Sequence, residues 1–363
     1  MMVTFSLCLI VKNEEHVLKR CLSSVEGIFE EIIVVDTGST DSTKEIAGQF
    51  TSQIYDFEWC NDFARARNFS FSKAKMDYTM WLDADDVVTV ENRKRLLDLK
   101  KTLLPEIDVV MMRYDTAFDF DGRPTFFYYR ERLLKTSRKF KWAGAVHEVI
   151  QPAGNILFSS ISIEHRKTRF SEPGRNLGIY EKLLAQGVAL DQRQKYYYAR
   201  ELMYSKKYKE AAETFLDFLN GRGGSLEDRI SACRDLAFCY YFLGNEEAAF
   251  LSLLRSFSYD RPRAEICCAL GQHFLDREQY DLAIYWYQTA FGSEIPDKTF
   301  GFVQPDYYGY IPALQLCICC DRLGELEKAS SWNEKAGEFK PNDPAYLYNK
   351  SYFQSKKAAL NWK

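Results

Sequence analysis

Histidine is scarce in this chain, with four among 363 residues. Two of them, His16 and His273, lie in helical patterns remote from any motif, which leaves His147 and His165 as the imidazoles available for chemistry. Long apolar runs are missing as well: the stretch Phe5 to Val11 is far too short to span a bilayer, and no basic segment or small-residue cleavage site accompanies it. The sequence therefore predicts a cytoplasmic protein with no stable membrane insertion. A strong charge of either sign is also absent. With 48 basic and 51 acidic residues the net charge is −3, which gives no broad attraction for nucleic acid or anionic lipid. Finally, the ten cysteines show no disulfide-framework spacing; they sit inside apolar patterns such as AEICCALG and LQLCICCD, as free thiols in helix cores do. Cys317 and Cys320 form a C-x-x-C, but no second ligand pair follows it and the segment has the pattern of a helix interior, so it reads as core.

What is present is an ordinary globular composition, 46% hydrophobic and 27% charged, on a chain long enough for two domains. Up to about residue 170, β-rich runs alternate with amphipathic helical stretches. SLCLIV, EIIVVD, SQIYDF, YTMWLD and DVVMMRY read as strands. NEEHVLKRCLSSV, TDSTKEIAGQF, DFARARNFSFSKA and ENRKRLLDLKK read as helices, with Asn, Asp or Thr where an N-cap belongs. Such alternation predicts an α/β domain with a mostly parallel sheet, in which ligands bind beyond the carboxyl ends of the strands. Further, partly antiparallel strands are expected in TFFYYRERLLK, KFKWAGAVHEVI and NILFSSISIEH.

The second half is helical and repeats itself. Alignment of KKYKEAAETF, LGNEEAAFLSL, REQYDLAIYWY and LGELEKASSWN brings Ala211, Ala249, Ala283 and Ala329 into register at intervals of 38, 34 and 46 residues. The middle interval is the tetratricopeptide period. A longer loop around GRGGSLED and an insertion around SEIPDKTFGFVQPD account for the others. Ala199, Ala237, Gly271 and Cys317 each fall 12 residues before the marker alanine, where two helices must approach closely. Four helical hairpins follow, giving a division into residues 1–170 (α/β), 171–194 (connecting helix or linker) and 195–363 (repeats and tail).

Within WLDADDV, residues 81–87, three carboxylates follow an apolar strand. Asp83 and Asp85 stand one residue apart on a loop leaving that strand, so both can reach a divalent ion or the ligand it carries, and oxygen ligands of this kind suit Mg²⁺ or Mn²⁺. On spacing alone a solvated turn fits equally well. Four motifs in order, NEE, VVDTGSTDST, WCNDFARARN and WLDADD, make the first 165 or so residues resemble the family 2 glycosyltransferases of GT-A fold. That resemblance implies a nucleotide-sugar donor, with Asp36 on the nucleobase, Asp83 on the ribose or sugar and Asp85 on the metal. It also places Glu14 near the nucleotide, although a solvent-facing Glu favoured by a helix dipole is the competing reading. Arg67 would assist on the donor side, against an ordinary helix-surface cation; Asp86 reads as a cap or supporting residue. Gly38 of TGSTDST reads as a tight turn, with Ser39, Thr40 or Asp41 as a structural cap.

An inverting transfer needs a base for the acceptor, and WAGAVHEVI offers two. Glu148 is the expected base, in keeping with the V-H-E element of tetratricopeptide-bearing family members; His147, its neighbour on an expected strand, would face the other way. His165 is the expected third partner of the metal site, and Trp142 with FFYYRER either floors the sugar or acceptor pocket or packs in the core. The joint architecture resembles the peptide-modifying glycosyltransferases that build glycocin-type bacteriocins, which implies a UDP-hexose donor and a cysteine or serine of a peptide or protein as acceptor. Transfer to cell-surface glycans or lipid-linked acceptors, and an inactive repeat scaffold, are the alternatives. A homodimer through the repeats is a further expectation.

Overall fold

The computed structural model describes residues 2–168, 174–296 and 301–360. The chain forms two compact units, one of residues up to 117 with 127–190, the other of residues 118–126 with 191–297 and those from 301 onward. The expected linker falls partly, and the expected insertion and the C-terminal tail also partly, outside the described residues.

In the first unit the strands are β1 (Phe5–Val11), β2 (Glu31–Asp36), β3 (Ile54–Asp56), β4 (Tyr78–Trp81), β5 (Asp86–Val87), β6 (Val109–Phe118), β7 (Pro124–Lys135), β8 (Trp142–Ala143), β9 (Val149–Ile150) and β10 (Ile156–His165), except that β6 and β7 run into residues 118–126 of the second unit. The helices are α1 (Leu18–Ser24), α2 (Thr43–Gly48), α3 (Phe63–Phe71), α4 (Val90–Thr102) and α5 (Arg175–Ala185). Eight strands make one sheet in the order β3-β2-β1-β4-β7-β6-β10-β5. β1 pairs in parallel with both β2 and β4, β2 with β3 and β10 with β6, whereas β7 runs antiparallel to β4 and β5 to β10. The expected mostly parallel sheet is therefore present, with antiparallel strands confined to its later part.

The reason lies in β1, whose residues are apolar on both faces. Phe5, Leu7, Leu9 and Val11 join one core with Leu18, Leu22, Met80 and Leu82, while Cys8 joins Ile33 and Val35 on the other. A strand buried on both sides is the mark of a parallel sheet covered by helices. Because β2 and β4 flank β1, the loops after these three strands open at one edge, where the strand order reverses. Two of the loops are stitched together: the Asn13 amide donates to Ser39 Oγ, the Thr40 amide to Asn13 Oδ1, and the Glu14 amide to Thr43 Oγ1. That stitching corrects the expected helix over residues 13–25. Asn13 takes a left-handed φ of 56° and α1 begins only at Leu18, because the intervening backbone groups bond to the neighbouring loop.

The second unit holds α6 (Gln192–Tyr204), α7 (Tyr208–Asn220), α8 (Leu226–Phe242), α9 (Glu246–Arg255), α10 (Ala264–Leu275), α11 (Tyr280–Phe291), α12 (Tyr310–Arg322), α13 (Leu326–Phe339) and α14 (Pro344–Leu360). These give the expected four hairpins plus a last helix. All four marker alanines are fully buried, at 0% exposure, on the second helix of each hairpin. Close approach explains the small residues 12 positions earlier: a Cβ on Gly271 would lie 2.7 Å from Cε1 of Tyr287. Cys317 and Cys320 pack with Ala329 of the last hairpin and Phe353 of α14, and burial pushes the Cys317 thiol up to about 12, as befits an unreactive core cysteine. The described end of the insertion returns to the helices: the Tyr308 hydroxyl donates to Glu265 at 3.1 Å, and Phe302 stacks beside Arg200 at 5.0 Å.

Candidate functional site

The charge at the end of β4 is answered by cations from three distant elements. After Trp81 the chain folds into a tight turn in which the Asp86 amide donates to the Asp83 carbonyl at 3.0 Å and the Asp83 amide donates back to Asp86 Oδ2 at 3.0 Å. The three carboxylates then point to different partners. Asp83 meets Arg67 of α3 at 2.6 Å, Asp86 meets Arg132 of β7 at 2.9 Å, and Asp85 meets Nδ1 of His165, at the end of β10, at 3.2 Å.

Arg67 is placed by its helix. Asp62 caps α3 by accepting from the Arg65 amide at 2.9 Å, so the helix axis starts beside the turn and carries Arg67 inward on its first two turns. It is not a surface cation: its side chain is 8% exposed, and its guanidinium lies 4.8 Å from both the Trp81 and the Trp142 ring. Its NH2 donates to Asp83 Oδ1 and its Nε to Glu148 Oε1, each at 2.6 Å. One guanidinium thus bridges the acid after β4 to the acid before β9. Burial alone would raise the Asp83 carboxyl; the charges of Arg67 and Arg132 outweigh it and hold Asp83 well below the usual carboxylate range.

His165 arrives by strand register. β5 pairs antiparallel with β10, and this sets His165 directly opposite Asp86. The hydroxyl of Tyr114, on β6, sits 2.7 Å from Asp86 Oδ1 and 2.7 Å from His165 Nδ1. Desolvation opposes the charged imidazole, but hydrogen bonds and charge from Asp85 and Asp86 push His165 up to about 10. Ligand atoms of Asp85, Asp86 and His165 lie within 4.8 Å of one another, a spacing that a divalent ion can gather. Both Asp86 oxygens are already engaged by Arg132, the Asp83 amide and Tyr114, and its side chain is fully buried. Asp85 and His165, each about a fifth exposed, are the residues open to an ion. Two protein donors would leave the remaining positions of a bound ion to water and phosphate oxygens, as Mg²⁺ commonly prefers.

The remaining expected residues fall as follows. Asp36 ends β2, opposite Val11 of β1, and is 1% exposed. Its Oδ1 accepts from the Gly38 and Ser39 amides, and its buried Oδ2 has no partner. Gly38 takes φ 103°, as the expected turn requires. The N-cap of α2 is Ser42, whose side chain makes no capping bond; one residue earlier, Asp41 Oδ1 accepts from the Thr43 amide and hydroxyl. Glu14 lies in the turn between β1 and α1, bonded through its amide to Thr43. Trp142 is 3% exposed and packs edge-on to Trp81 at 4.9 Å, so it belongs to the aromatic core beneath Arg67. His147 is corrected more sharply. It has a left-handed φ of 51° between β8 and β9, so residues 147 and 148 are not consecutive strand positions and side-chain alternation does not govern which way they face.

Two residues of the site escaped the sequence reading, Tyr114 and Arg132. A signal for the second was present: in FFYYRERLLK three consecutive charges, Arg130, Glu131 and Arg132, sit inside a strand between aromatic and apolar residues, and Arg132 is indeed 0% exposed, 3.8 Å from the Trp81 ring centroid. A charge there demands a buried counter-ion, and Asp86 supplies it.

Among the described residues no helix is long and apolar enough to cross a membrane. The family model for glycosyl transferase family 2 matches residues 6–162, which run from β1 into β10. The prophage-derived glycosyltransferase SunS of Bacillus subtilis is 33% identical over 148 residues, 40% of this chain and 34% of its own length. A TPR repeat-containing protein of Synechococcus elongatus is 41% identical over 90 residues, 25% of this chain and 22% of its own. The chain thus spans about a third or less of the length of these relatives. Among solved structures, MamA from Desulfovibrio magneticus RS-1 is 12% identical with a TM-score of 0.37, covering 46% of this chain and 85% of its own, a score too low to define a shared fold. With the strand order, the acidic turn after β4 and the family match all falling on one stretch, residues 6–162 of this chain are a glycosyl transferase family 2 domain.

Proposed function

We propose that the chain is an inverting, metal-dependent glycosyltransferase that moves a hexose from a UDP-sugar to a cysteine or serine of a peptide or protein. The observation that carries the reading is the charge balance of the acidic turn. Asp83, Asp86 and Glu148 pair with two guanidiniums, Arg67 and Arg132, and Asp85 pairs with His165, so the four carboxylates leave an excess of two negative charges once His165 is neutral. An excess of that size suits one divalent cation, Mg²⁺ or Mn²⁺, held by Asp85 and His165. When bound, it supplies counter-charge to the diphosphate as the glycosidic bond breaks.

The residues of the chain divide the rest. Asp36, with its orphaned buried Oδ2 at the reversal of strand order, is suited to accept from a nucleobase N–H. Asp83, fixed by Arg67, faces the ribose or sugar. Glu148 is the base: Arg67 anchors its Oε1, which orients the other oxygen for the acceptor proton. Glu14 completes the nucleotide side. The repeats take the acceptor peptide or mediate assembly, a role in keeping with helical-hairpin arrays that bind extended peptides.

The test is titration of UDP into the wild-type protein and Asp85→Ala, each with and without Mn²⁺. Metal-dependent binding lost in the variant is expected. Equal binding by both proteins, or none by either, sinks the donor assignment.

A further inference from the structure

Hydrogen-bond bookkeeping in the buried network behind Asp85 decides which nitrogen of His165 faces outward. Arg132 can only donate, and its NH1 donates to Asp86 Oδ2 at 2.9 Å while the Asp83 amide donates to the same oxygen. Asp86, as counter-ion of a guanidinium that is 0% exposed, only accepts. Tyr114 has a single proton and two close neighbours, Asp86 Oδ1 and His165 Nδ1, both at 2.7 Å. Were that proton given to the imidazole, the hydroxyl oxygen would face a carboxylate oxygen at 2.7 Å with no hydrogen between them, inside a buried pocket. The proton therefore lies toward Asp86, the Tyr114 oxygen accepts, and Nδ1 of His165 carries the hydrogen. Asp85 Oδ1, at 3.2 Å, and Asp86 Oδ1, at 3.4 Å, share that Nδ1–H only as more distant acceptors.

We propose that Tyr114 is a positioning residue for the metal site: its hydroxyl, locked as a donor by Asp86, accepts from Nδ1–H of His165 and turns the imidazole to offer Nε2 to the cation. The inference rests on the metal-site reading above. A ligating histidine whose other nitrogen is held this way is a more basic and better oriented ligand, and loss of such a partner typically lowers metal affinity roughly 10- to 100-fold. Asp86 acts through Tyr114 in the same chain and is not itself a ligand.

The experiment uses the full chain labelled with ¹⁵N-histidine, practicable because there are only four such residues to resolve; His165→Gln identifies the signal. With Mg²⁺ and UDP, His165 should show a protonated Nδ1 and a metal-shifted Nε2. Calorimetric titration with Mg²⁺ should show Tyr114→Phe weakened by roughly tenfold or more. A metal-shifted Nδ1 overturns the proposal, as does a Tyr114→Phe protein that is folded by its melting curve and binds Mg²⁺ within twofold of wild type. If the wild type binds no Mg²⁺ with or without UDP, the metal site itself fails; the tautomer is then read on the neutral imidazole of the metal-free protein at alkaline pH, where Nε2–H in place of Nδ1–H would refute the hydrogen-bond chain alone.

Discussion

Replacement of Arg67 by methionine separates the structural from the chemical work of the site. Methionine keeps most of the volume between Trp81 and Trp142 but leaves Asp83 and Glu148 without their shared cation. Breaking a buried pair costs about 3–5 kcal/mol. Here the carboxylate side chains are 31% and 13% exposed, so water relieves part of the loss, and about 2–3 kcal/mol is the reasonable figure. For a unit of this size each kcal/mol moves the melting temperature by about 2–4 °C, so the first calorimetric transition should fall by roughly 4–12 °C at about pH 7. The pH dependence carries a sign. Asp83 has a depressed folded value, so its contribution is fully present above its ordinary value of 3.8 and is lost as pH falls through the folded value. The gap between wild type and variant should hold steady from about pH 5 to 8 and narrow only below about pH 4. Arg67→Lys should lie between them, since an ammonium lacks the planar fork that reaches two carboxylates. A methionine variant that melts within about 1 °C of wild type, or a gap that narrows toward alkaline pH, refutes the assignment of Arg67 as the bridge.

Three other outcomes are expected. Arg132→Met alone leaves Asp86 fully buried and unpaired and should destabilise the first unit by about 3–5 kcal/mol, whereas Arg132→Met with Asp86→Asn should recover much of that loss, measurable as a coupling in chemical denaturation. His165 titrates near 10 against an ordinary 6.5, so in EDTA its pairing with Asp85 and Asp86 stabilises fully below about 6.5 and fades as pH rises through about 10; melting curves of wild type and His165→Ala should therefore converge on alkalinisation, and divergence would contradict the pairing. Gly271→Ala places a methyl 2.7 Å from the Tyr287 ring and should cost about 1–3 kcal/mol in the repeat unit, with no effect on UDP binding; a neutral substitution there would mean the hairpin is looser than its packing indicates.

The parts of this molecule that were legible in the sequence are those encoded locally. Strand β1 announced itself through residues apolar on both faces, and the hairpins through alanines at a fixed spacing, because a parallel strand and a helix crossing each impose their demand on adjacent positions. The start of α1 was not legible: the acceptors that draw the amides of residues 13–15 away from a helix are Ser39, Thr43 and Asp41, and nothing near Asn13 reveals them. The same holds at His147, where a left-handed residue ends the strand pattern that alternation assumes.

At the site the asymmetry is between acids and cations. Asp83, Asp85 and Asp86 are contiguous and conspicuous, while the groups that balance them lie 16, 80 and 46 positions away, in Arg67, His165 and Arg132. Those distances are bridged by α3, by the β5–β10 register and by the course of β7, none of which is written in the acidic turn. A fully buried guanidinium such as Arg132 is costly unless its partner is already in place, and an exposed cluster of three acids would need no such partner. The arrangement therefore fixes two of the three acids by ion pairing with arginines and leaves Asp85, whose partner is the His165 imidazole, as the acid of the turn not bound to a guanidinium.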